Sequence, residues 1–214
     1  FRGIRSNICL NSHPQGCKQE VLNQIAYTKS VKEKTDKLAG KHRNIKNVLV
    51  LGCSTGYGLA SRITAAFAYG ADTIGVSFEK EGTEKKFGTP GWYNNMAFDA
   101  EAKKAGLFST TLNGDAYSDE VKAEVIKLAK EHNMKFDLVV YSLASPVRTD
   151  PDTKVLYRSV IKPIGKDFSG VTFDTMTGEM KEITAEAANE EEIANTVKVM
   201  GGEDWERWIN QMMK

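Results

Sequence analysis

Short apolar runs alternate with amphipathic segments between residues 47 and 143. Four strands are predicted, over residues 47–51, 73–78, 108–112 and 136–143, and the first of them, NVLVL, is a short apolar run typical of a buried parallel strand. Between them, apolar residues recur at helical spacing in residues 59–69, 98–104 and 119–132. Strands that alternate with helices predict an α/β fold built on a doubly wound parallel sheet.

The segment before this region follows another pattern. Residues 4–10 predict a short strand, and Pro14 with Gly16 indicates the turn of an N-terminal hairpin. A helix is expected from Glu20, and the basic residues 29–46 are typical of a solvated linker. We therefore expect this segment to be an extension of the main domain.

The segment after residue 145 shows little helical pattern until its end. Residues 171–173 and 179–183 flank turn residues and predict a β-hairpin. Asn189 and Glu192 have the spacing of a capping box, and another helix is expected from Glu203. We therefore expect a β-hairpin insertion followed by two helices.

Composition and charge narrow the classes of function. The chain has 29 Lys and Arg against 28 Asp and Glu, and this balance argues against a dedicated nucleic-acid-binding protein. No apolar run is long enough to span a bilayer. We expect an N-terminal extension over residues 1–46 and one main domain over residues 47–214, which we expect to continue beyond them.

The cysteines bear on compartment and on metal binding. Three cysteines in 214 residues do not make a disulfide scaffold, so we expect a reducing compartment. This is the cytoplasm, or the mitochondrion if a transit peptide was removed before Phe1. The spacing of Cys9, His13 and Cys17 could suggest a metal site, but a structural zinc takes four ligands and no fourth lies nearby. No metal is expected.

A glycine-rich turn, GCSTGYG, occupies residues 52–58 between the first predicted strand and the first helix of the sheet region. A helix N-terminus offers free N–H groups and the positive end of a dipole, and glycines let the backbone approach a phosphate. The spacing is G-x-x-x-G-x-G rather than the commoner G-x-G-x-x-G. The turn therefore predicts the pyrophosphate site of a dinucleotide, with a turn used only for packing as the alternative.

The ends of the other strands agree with this prediction. Glu79 lies 21 residues after Gly58, where a carboxylate can accept hydrogen bonds from the adenosine ribose. It should repel a 2′-phosphate, which favours NADH over NADPH. The alternative is a surface charge, because more charged residues follow it. Residues 115–116 and 142–145 end the next two strands, at the edge where such sheets bind ligands.

Long segments of the chain carry a family resemblance. Residues 51–95 (LGCSTGYGLASRITAAFAYGADTIGVSFEKEGTEKKFGTPGWYNN) strongly resemble the trans-2-enoyl-CoA reductases and the related NADH-dependent enoyl-acyl-carrier-protein reductases. Further segments match in order: HPQGC (13–17), NGDAYSDE (113–120), FDLVVYSLASPVR (136–148), IKPIG (161–165) and VMGGEDWERW (199–208). The resemblance covers essentially the whole chain.

The resemblance implies a fold, a reaction and a set of cofactor contacts. The fold is a Rossmann-type, extended short-chain-dehydrogenase-like domain. The reaction transfers a hydride from NADH to the β-carbon of a trans-2-enoyl thioester, either enoyl-CoA or enoyl-ACP, in fatty acid synthesis. The implied cofactor-binding residues are Gly52, Cys53, Ser54, Thr55, Gly56, Tyr57 and Gly58 at the pyrophosphate and its ribose, Phe78 and Glu79 at the adenosine ribose, Asp115 and Ala116 at the adenine, and Leu143 and Ala144 along the cofactor.

The family's catalytic residues are a Tyr and a Lys separated by eight residues, beyond the final tryptophan motif. The chain stops at Lys214, so the resemblance assigns no catalytic residue within it. Tyr157 and Lys166 have this spacing, but Pro163 and Gly165 lie between them, unlike the family's helical context. We expect the cofactor-binding part of a longer enzyme, whose remainder is its partner, and NADH binding without turnover in this piece alone.

Two other functions remain open. One is a non-catalytic dinucleotide-binding or assembly fragment. The other is a short-chain dehydrogenase or ketoreductase acting on a carbonyl, although the Tyr-x3-Lys pair of such enzymes is missing from this chain.

Overall fold

A computed structural model of the chain describes residues 4–5, 8–9, 12–38 and 44–213. The strands are β1 (Ile4–Arg5), β2 (Ile8–Cys9), β3 (Asn47–Leu51), β4 (Asp72–Ser77), β5 (Ser109–Asn113), β6 (Leu138–Tyr141), β7 (Val147–Thr149), β8 (Leu156–Arg158), β9 (Phe168–Asp174) and β10 (Glu179–Ala185). The helices are α1 (Pro14–Leu38), α2 (Gly56–Tyr69), α3 (Pro90–Lys104), α4 (Asp119–Glu131), α5 (Glu190–Met200) and α6 (Glu203–Met212). The chain divides into two units, Cys9–Leu143 and Ala144–Lys214 together with Phe1–Ile8.

The first unit contains a four-stranded parallel sheet in the order β5-β4-β3-β6. At the carboxyl edge, Leu51 lies opposite both Val76 and Tyr141. The side chains of β3 and β4 are almost all buried. Strand β3 (NVLVL) therefore appears as a short apolar run, whereas β4 (DTIGVS) also buries the small polar side chains of Thr73 and Ser77. The predicted α/β fold with a doubly wound parallel sheet is confirmed. The predicted division at residues 46 and 47 stays a prediction.

Three helices share one apolar core in this unit. Val21 and Ile25 of α1 are buried with Ile63 of α2 and Phe98 of α3. The rings of Phe67 and Phe98 meet edge to face with their centroids 5.9 Å apart. The core therefore joins α1 to the two helices that flank the glycine-rich turn.

The N-terminal segment differs from its prediction. The expected hairpin turn at Pro14 and Gly16 is wrong, because α1 begins at Pro14 and includes both residues. His13 Nδ1 accepts a hydrogen bond from Gly16 N at 2.7 Å, and a proline at the first helical position needs no N–H partner. The expected linker over residues 29–46 is also wrong up to Leu38, where α1 ends. Residues 39–43 lie outside the described residues.

The helix α3 begins earlier than expected. Its pattern predicts a helix from Phe98, with residues 85–95 as a loop, but the helix starts at Pro90. Thr89 is extended at φ −71° and ψ 154°, and Pro90 then occupies the first turn. Eight residues expected in a loop or at its edge thus become a helical segment next to the glycine-rich turn.

The second unit matches its predicted elements. Strands β9 and β10 form an antiparallel hairpin in which Phe173 lies opposite Met180. The capping box of α5 is present, with Asn189 and Glu192 bonded reciprocally. On α6, Trp208 is fully buried and Trp205 is half-buried. Among the described residues, no helix is both long and apolar enough to cross a membrane.

Candidate functional site

The glycine-rich turn leaves β3 through a left-handed residue. Gly52 has φ +81°, a conformation that side chains disfavour. Gly52 N and Cys53 N both donate to Val76 O of the neighbouring strand, at 2.9 and 3.0 Å. A Cβ at Gly52 would overlap the Ser142 carbonyl oxygen, and one at Gly58 would overlap Gly52 O. Both glycines are therefore required by close backbone approaches.

The turn delivers the chain to the N-terminus of α2. Gly56 has φ +52°, and a Cβ there would meet nothing within 4 Å, so it borders open space. The Thr55 side chain makes no capping hydrogen bond to a described residue of α2, and the first turn holds no acidic residue. The first N–H groups of the helix are thus suited to an external anion such as a pyrophosphate.

Glu79 is joined to the glycine-rich turn by its carboxylate. Its Oε1 accepts a hydrogen bond from Ser54 Oγ at 2.5 Å, and its Oε2 accepts one from Thr89 Oγ1. Its backbone is fixed as well, because Glu79 N donates to Asn113 Oδ1 at 2.8 Å and Asn113 Nδ2 donates to Glu79 O at 2.9 Å. The carboxylate is half-buried and lies beside the turn, where a ribose hydroxyl would find an acceptor.

The first turns of α3 hold the glycine-rich turn from the other side. Asn94 Nδ2 donates to Ser54 O at 3.0 Å. The Cys53 thiol is 3.6 Å from Asn95 Oδ1, and Asn95 Nδ2 donates to Ser77 Oγ at 2.9 Å. Two asparagines therefore fix both ends of the Cys53–Ser54 segment.

Cys53 is packed rather than reactive. Its side chain is fully buried, and this burial raises the pKa of the thiol. The nearby Arg62 guanidinium, 3.7 Å from Sγ, acts in the opposite direction but does not reverse the shift. The thiol is a poor nucleophile in this state and fills space as a small apolar side chain.

The loop after β5 is held by a buried lysine. Lys122 Nζ donates to Ala116 O and to Tyr117 O, both at 2.9 Å. Asp115 Oδ1 accepts from Tyr117 N at 2.9 Å, and Gly114 N donates to Ser77 O at 2.7 Å. The Asp115–Ala116 backbone is therefore tied to the end of β4, next to Glu79.

The residues just described form a helix N-terminus, a carboxylate and a fixed backbone edge, which fit a dinucleotide. Residues 2–84 match the sequence model of a family described as the NAD(P)H binding domain of trans-2-enoyl-CoA reductase. Residues 86–214 match the model described as the trans-2-enoyl-CoA reductase catalytic region. The chain belongs to the trans-2-enoyl-CoA reductase family.

Individual members of this family are very similar to the chain. It is 67% identical over 211 residues to the trans-2-enoyl-CoA reductase (NADH) of Treponema denticola, covering 99% of this chain and 53% of that protein. It is 56% identical to the enoyl-acyl-carrier-protein reductase (NADH) of Saccharophagus degradans, over 98% of this chain and 51% of the relative. The crystal structure of the Treponema denticola enzyme in complex with NAD matches with a TM-score of 0.93 and 66% identity, over 98% of this chain and 52% of that one. The chain thus spans about half the length of the curated relatives it matches.

The chain brings some of the predicted site residues together and leaves others apart. Ser54 and Glu79 are in direct contact, and Gly52 lies against the backbone of Ser142 next to Leu143. The side chains of Tyr57 and Phe78 are exposed. Leu143 ends the first unit and Ala144 begins the second. The cofactor contacts of these residues stay predictions.

Other candidate residues lie elsewhere in the chain. Tyr157 is on strand β8 and Lys166 follows it in a segment without helix, so the pair is not in a helical setting. His13 Nδ1 caps the start of α1. Within the part of the chain that the structure describes, no three His, Cys, Asp or Glu side chains are grouped as metal ligands.

Five residues of the site were missed by sequence reasoning. They are Thr89, Gly91, Asn94, Asn95 and Asn113, and four of them lie at the start of α3. Thr89 followed by Pro90 has the composition of a helix start, and this was the signal that could have placed them. The low apolar periodicity of residues 90–97 concealed it, because this part of the helix faces a polar turn.

Proposed function

We propose that the chain is the cofactor-binding part of an NADH-dependent reductase of trans-2-enoyl thioesters. The contact between the Glu79 carboxylate and Ser54 of the glycine-rich turn supports this proposal most directly. It joins a ribose acceptor to a pyrophosphate site in one arrangement, as a dinucleotide requires. Relatives named for CoA and for acyl-carrier-protein substrates cover the chain almost equally, so the proposed substrate is the enoyl thioester that both share.

Each part of the site has a separate task in this proposal. The N-terminus of α2 and the backbone of the turn bind the pyrophosphate, and Glu79 accepts hydrogen bonds from the adenosine ribose. The Asp115–Ala116 backbone borders the adenine. NADH, when bound, supplies the hydride that the enoyl β-carbon receives. The proposed catalytic Tyr and Lys belong to the remainder of the enzyme, which is the proposed partner of this piece.

The preference for NADH follows from charge. A fixed carboxylate at the adenosine ribose accepts from two free hydroxyls but repels a 2′-phosphate. The proposal includes a reducing compartment, the cytoplasm or, if a transit peptide was removed, the mitochondrion, in which the thiols of Cys17 and Cys53 would stay free.

A binding titration and an activity assay test the proposal separately. NADH is titrated into the 214-residue chain and its fluorescence followed, with Glu79→Gln as the test variant. Glu84→Gln, an exposed carboxylate in the same loop, is the control. We expect the chain to bind NADH, Glu79→Gln to weaken binding by about tenfold, and Glu84→Gln to leave it unchanged.

The activity assay uses crotonyl-CoA and follows the oxidation of NADH. We expect no turnover by this chain alone and turnover by the complete enzyme that contains it. If wild-type chain fails to bind NADH, the proposed function is wrong. Turnover by the 214-residue chain would overturn the placement of the catalytic pair and return attention to Tyr157 and Lys166.

A further inference from the structure

The start of α3 holds the carboxylate that the proposed function assigns to the ribose. We propose that Thr89 and Gly91 are positioning residues that orient Glu79 and thereby set the preference for NADH over NADPH. The inference rests on the proposed function and adds to it the part of the fold that determines cofactor selectivity.

Thr89 uses its hydroxyl in an unusual way for its position. A threonine that precedes a helix normally accepts a hydrogen bond from a backbone N–H of the first turn. The Thr89 side chain makes no such bond to a described residue of α3. Its proton is donated instead to Glu79 Oε2, in a contact shorter than the 3.3 Å to Lys80 O. The hydroxyl is therefore used to fix the carboxylate and not to cap the helix.

The backbone around Thr89 fixes the direction of this hydroxyl. Lys80 N donates to Thr89 Oγ1 at 3.0 Å, and Thr89 N donates to Lys80 O at 3.0 Å. The residue after Glu79 and the residue before α3 are thus joined by a reciprocal pair of bonds. Because Lys80 N supplies a proton to Oγ1, the hydroxyl proton is left to point at an acceptor such as Glu79.

Gly91 provides the space that the carboxylate occupies. A Cβ at this position would overlap Glu79 Oε1 and would lie 2.8 Å from Ser54 Cβ. The residue is buried in the first turn of α3. Any side chain here would push the carboxylate away from Ser54, so the requirement for glycine at this position is one of space.

The hydrogen bonds from Ser54 and Thr89 to Glu79, together called the clamp, leave the carboxylate free to bind a ribose. Each carboxylate oxygen accepts about two hydrogen bonds, and Ser54 and Thr89 use one on each oxygen. One acceptor position therefore remains on each oxygen for the two ribose hydroxyls. A carboxylate that cannot rotate away also keeps its charge where a 2′-phosphate would have to lie, so selectivity depends on the clamp as well as on the charge.

The test is the ratio of two dissociation constants. Thr89→Val keeps the shape of the side chain and removes the hydroxyl, and both NADH and NADPH are titrated by fluorescence. We expect the Kd for NADH to rise about three- to tenfold and the Kd for NADPH to change less than about twofold or to fall, so the selectivity ratio drops. Thr89→Ser should restore the wild-type ratio, and Gly91→Ala should lower it as Thr89→Val does.

Two controls separate positioning from general damage. Thr64→Val makes the same change on α2, where the hydroxyl donates back to Ala60 O, and should leave both constants as they are. In a Glu79→Gln background, Thr89→Val should add little further loss, because the two residues act through one interaction. Additive losses there would contradict the clamp.

The outcomes distinguish the two proposals. If wild-type chain does not bind NADH, the proposed function fails first. If it binds NADH and Thr89→Val leaves the selectivity ratio unchanged, or weakens both cofactors equally, the positioning role is wrong while the proposed function stands.

Discussion

Arg62 is a charged side chain in the core of the first unit, with no exposed surface. Its donors reach the Thr73, Ser109 and Thr111 hydroxyls, the Thr110 carbonyl oxygen, the Cys53 sulfur and the Asp99 carboxylate. Its guanidinium also lies over the Phe98 ring, 4.3 Å from the centroid. A buried guanidinium is tolerated only when such partners replace its water, so this residue joins α2 and α3 to the sheet.

We expect Arg62→Met to destabilise the chain strongly. The change removes the charged partner of Asp99, whose carboxylate keeps its hydrogen bonds from the Ser109 and Thr111 hydroxyls, and breaking a buried pair costs about 3–5 kcal/mol. The loss should be near the lower value because the Asp99 side chain is 30% exposed and can reach water. Urea unfolding measures it. Lys104→Met removes an exposed i,i+3 pair with Glu101 and should change the unfolding free energy by less than about 0.5 kcal/mol. Equal losses in the two variants would contradict the role of burial.

The positions of some site residues could be predicted from the sequence, but the contacts between site residues could not. Gly52 and Glu79 were predicted because their positions follow from where parallel strands end. The partners of Glu79 could not be predicted in this way. Thr89 is ten residues later in the chain and reaches Glu79 only because α3 begins beside it, and Asn113 depends on the pairing of β4 with β5. Such contacts depend on tertiary structure and have no local pattern.

The start of a helix can be predicted from the sequence when a local motif caps it, as the helices of this chain show. Helix α5 has a full capping box: Glu192 N donates to Asn189 Oδ1 at 2.8 Å, and Asn189 N donates to Glu192 Oε2 at 3.0 Å. This start was predictable because the motif is local and needs no tertiary contact. The starts of α1 and α3 were missed because each depends on a proline at the first turn, which also suits a turn.

We expect Asn189→Ala to destabilise the second unit by about 1 kcal/mol. The alanine removes the acceptor for Glu192 N and leaves a donor unsatisfied at the first turn. Hydrogen exchange of the α5 amides measures the loss. Asn195→Ala, in the interior of the same helix, should not destabilise because alanine has the higher helix propensity. Faster exchange in both variants would argue against a capping effect.

The turn of the β9–β10 hairpin depends on pH. The Lys181 ammonium, 2.6 Å away, holds the pKa of Asp174 below its usual value, and the backbone N–H groups of Met176 and Thr177 act in the same direction. A pKa that is lower in the folded state contributes stability above the unfolded value of about 4. That contribution is lost as the pH falls through the folded value.

We therefore expect the hairpin turn to open in acid, and Asp174→Asn to remove most of this dependence between about pH 5 and 2. The amide chemical shifts of Met176 and Thr177, followed by NMR against pH, measure it. The prediction is wrong if these shifts titrate in the same way in the Asp174→Asn variant.

At the scale of the whole chain, the sheet was the most predictable feature and the N-terminal helix the least. Strands alternate with helices along residues 47–143, and this alternation predicts a parallel sheet without any knowledge of tertiary contacts. The helix α1 buries Val21 and Ile25 in its first half, while its second half carries the basic residues that suggested a linker. The many charged residues of the second half weaken the apolar periodicity by which a helix is recognised in a sequence.

Cofactor binding should raise the free energy of unfolding of the first unit by an amount set by the ratio of the cofactor concentration to its Kd. A ligand that binds only the folded state adds about 2.7 kcal/mol at one hundred times its Kd. We expect this increase with NADH in urea unfolding monitored by circular dichroism. NADPH at the same concentration should give a smaller increase, and the difference should shrink in Glu79→Gln. Equal increases with the two cofactors would contradict the selectivity of the site.

The burial of Cys53 has a practical consequence. A thiol that is sealed behind Asn95 and Arg62 can be alkylated only when the turn around it comes away from α3, so its labelling rate reports that event from inside the site. Cys17, which is partly exposed, should react first and can be labelled beforehand, and the label at Cys53 is then read on its own peptide, because the chain also contains Cys9. If NADH slows the later reaction at Cys53, the cofactor stabilises the closed form of the turn to which it binds. The alkylation rate of Cys53 would then measure how often that turn opens.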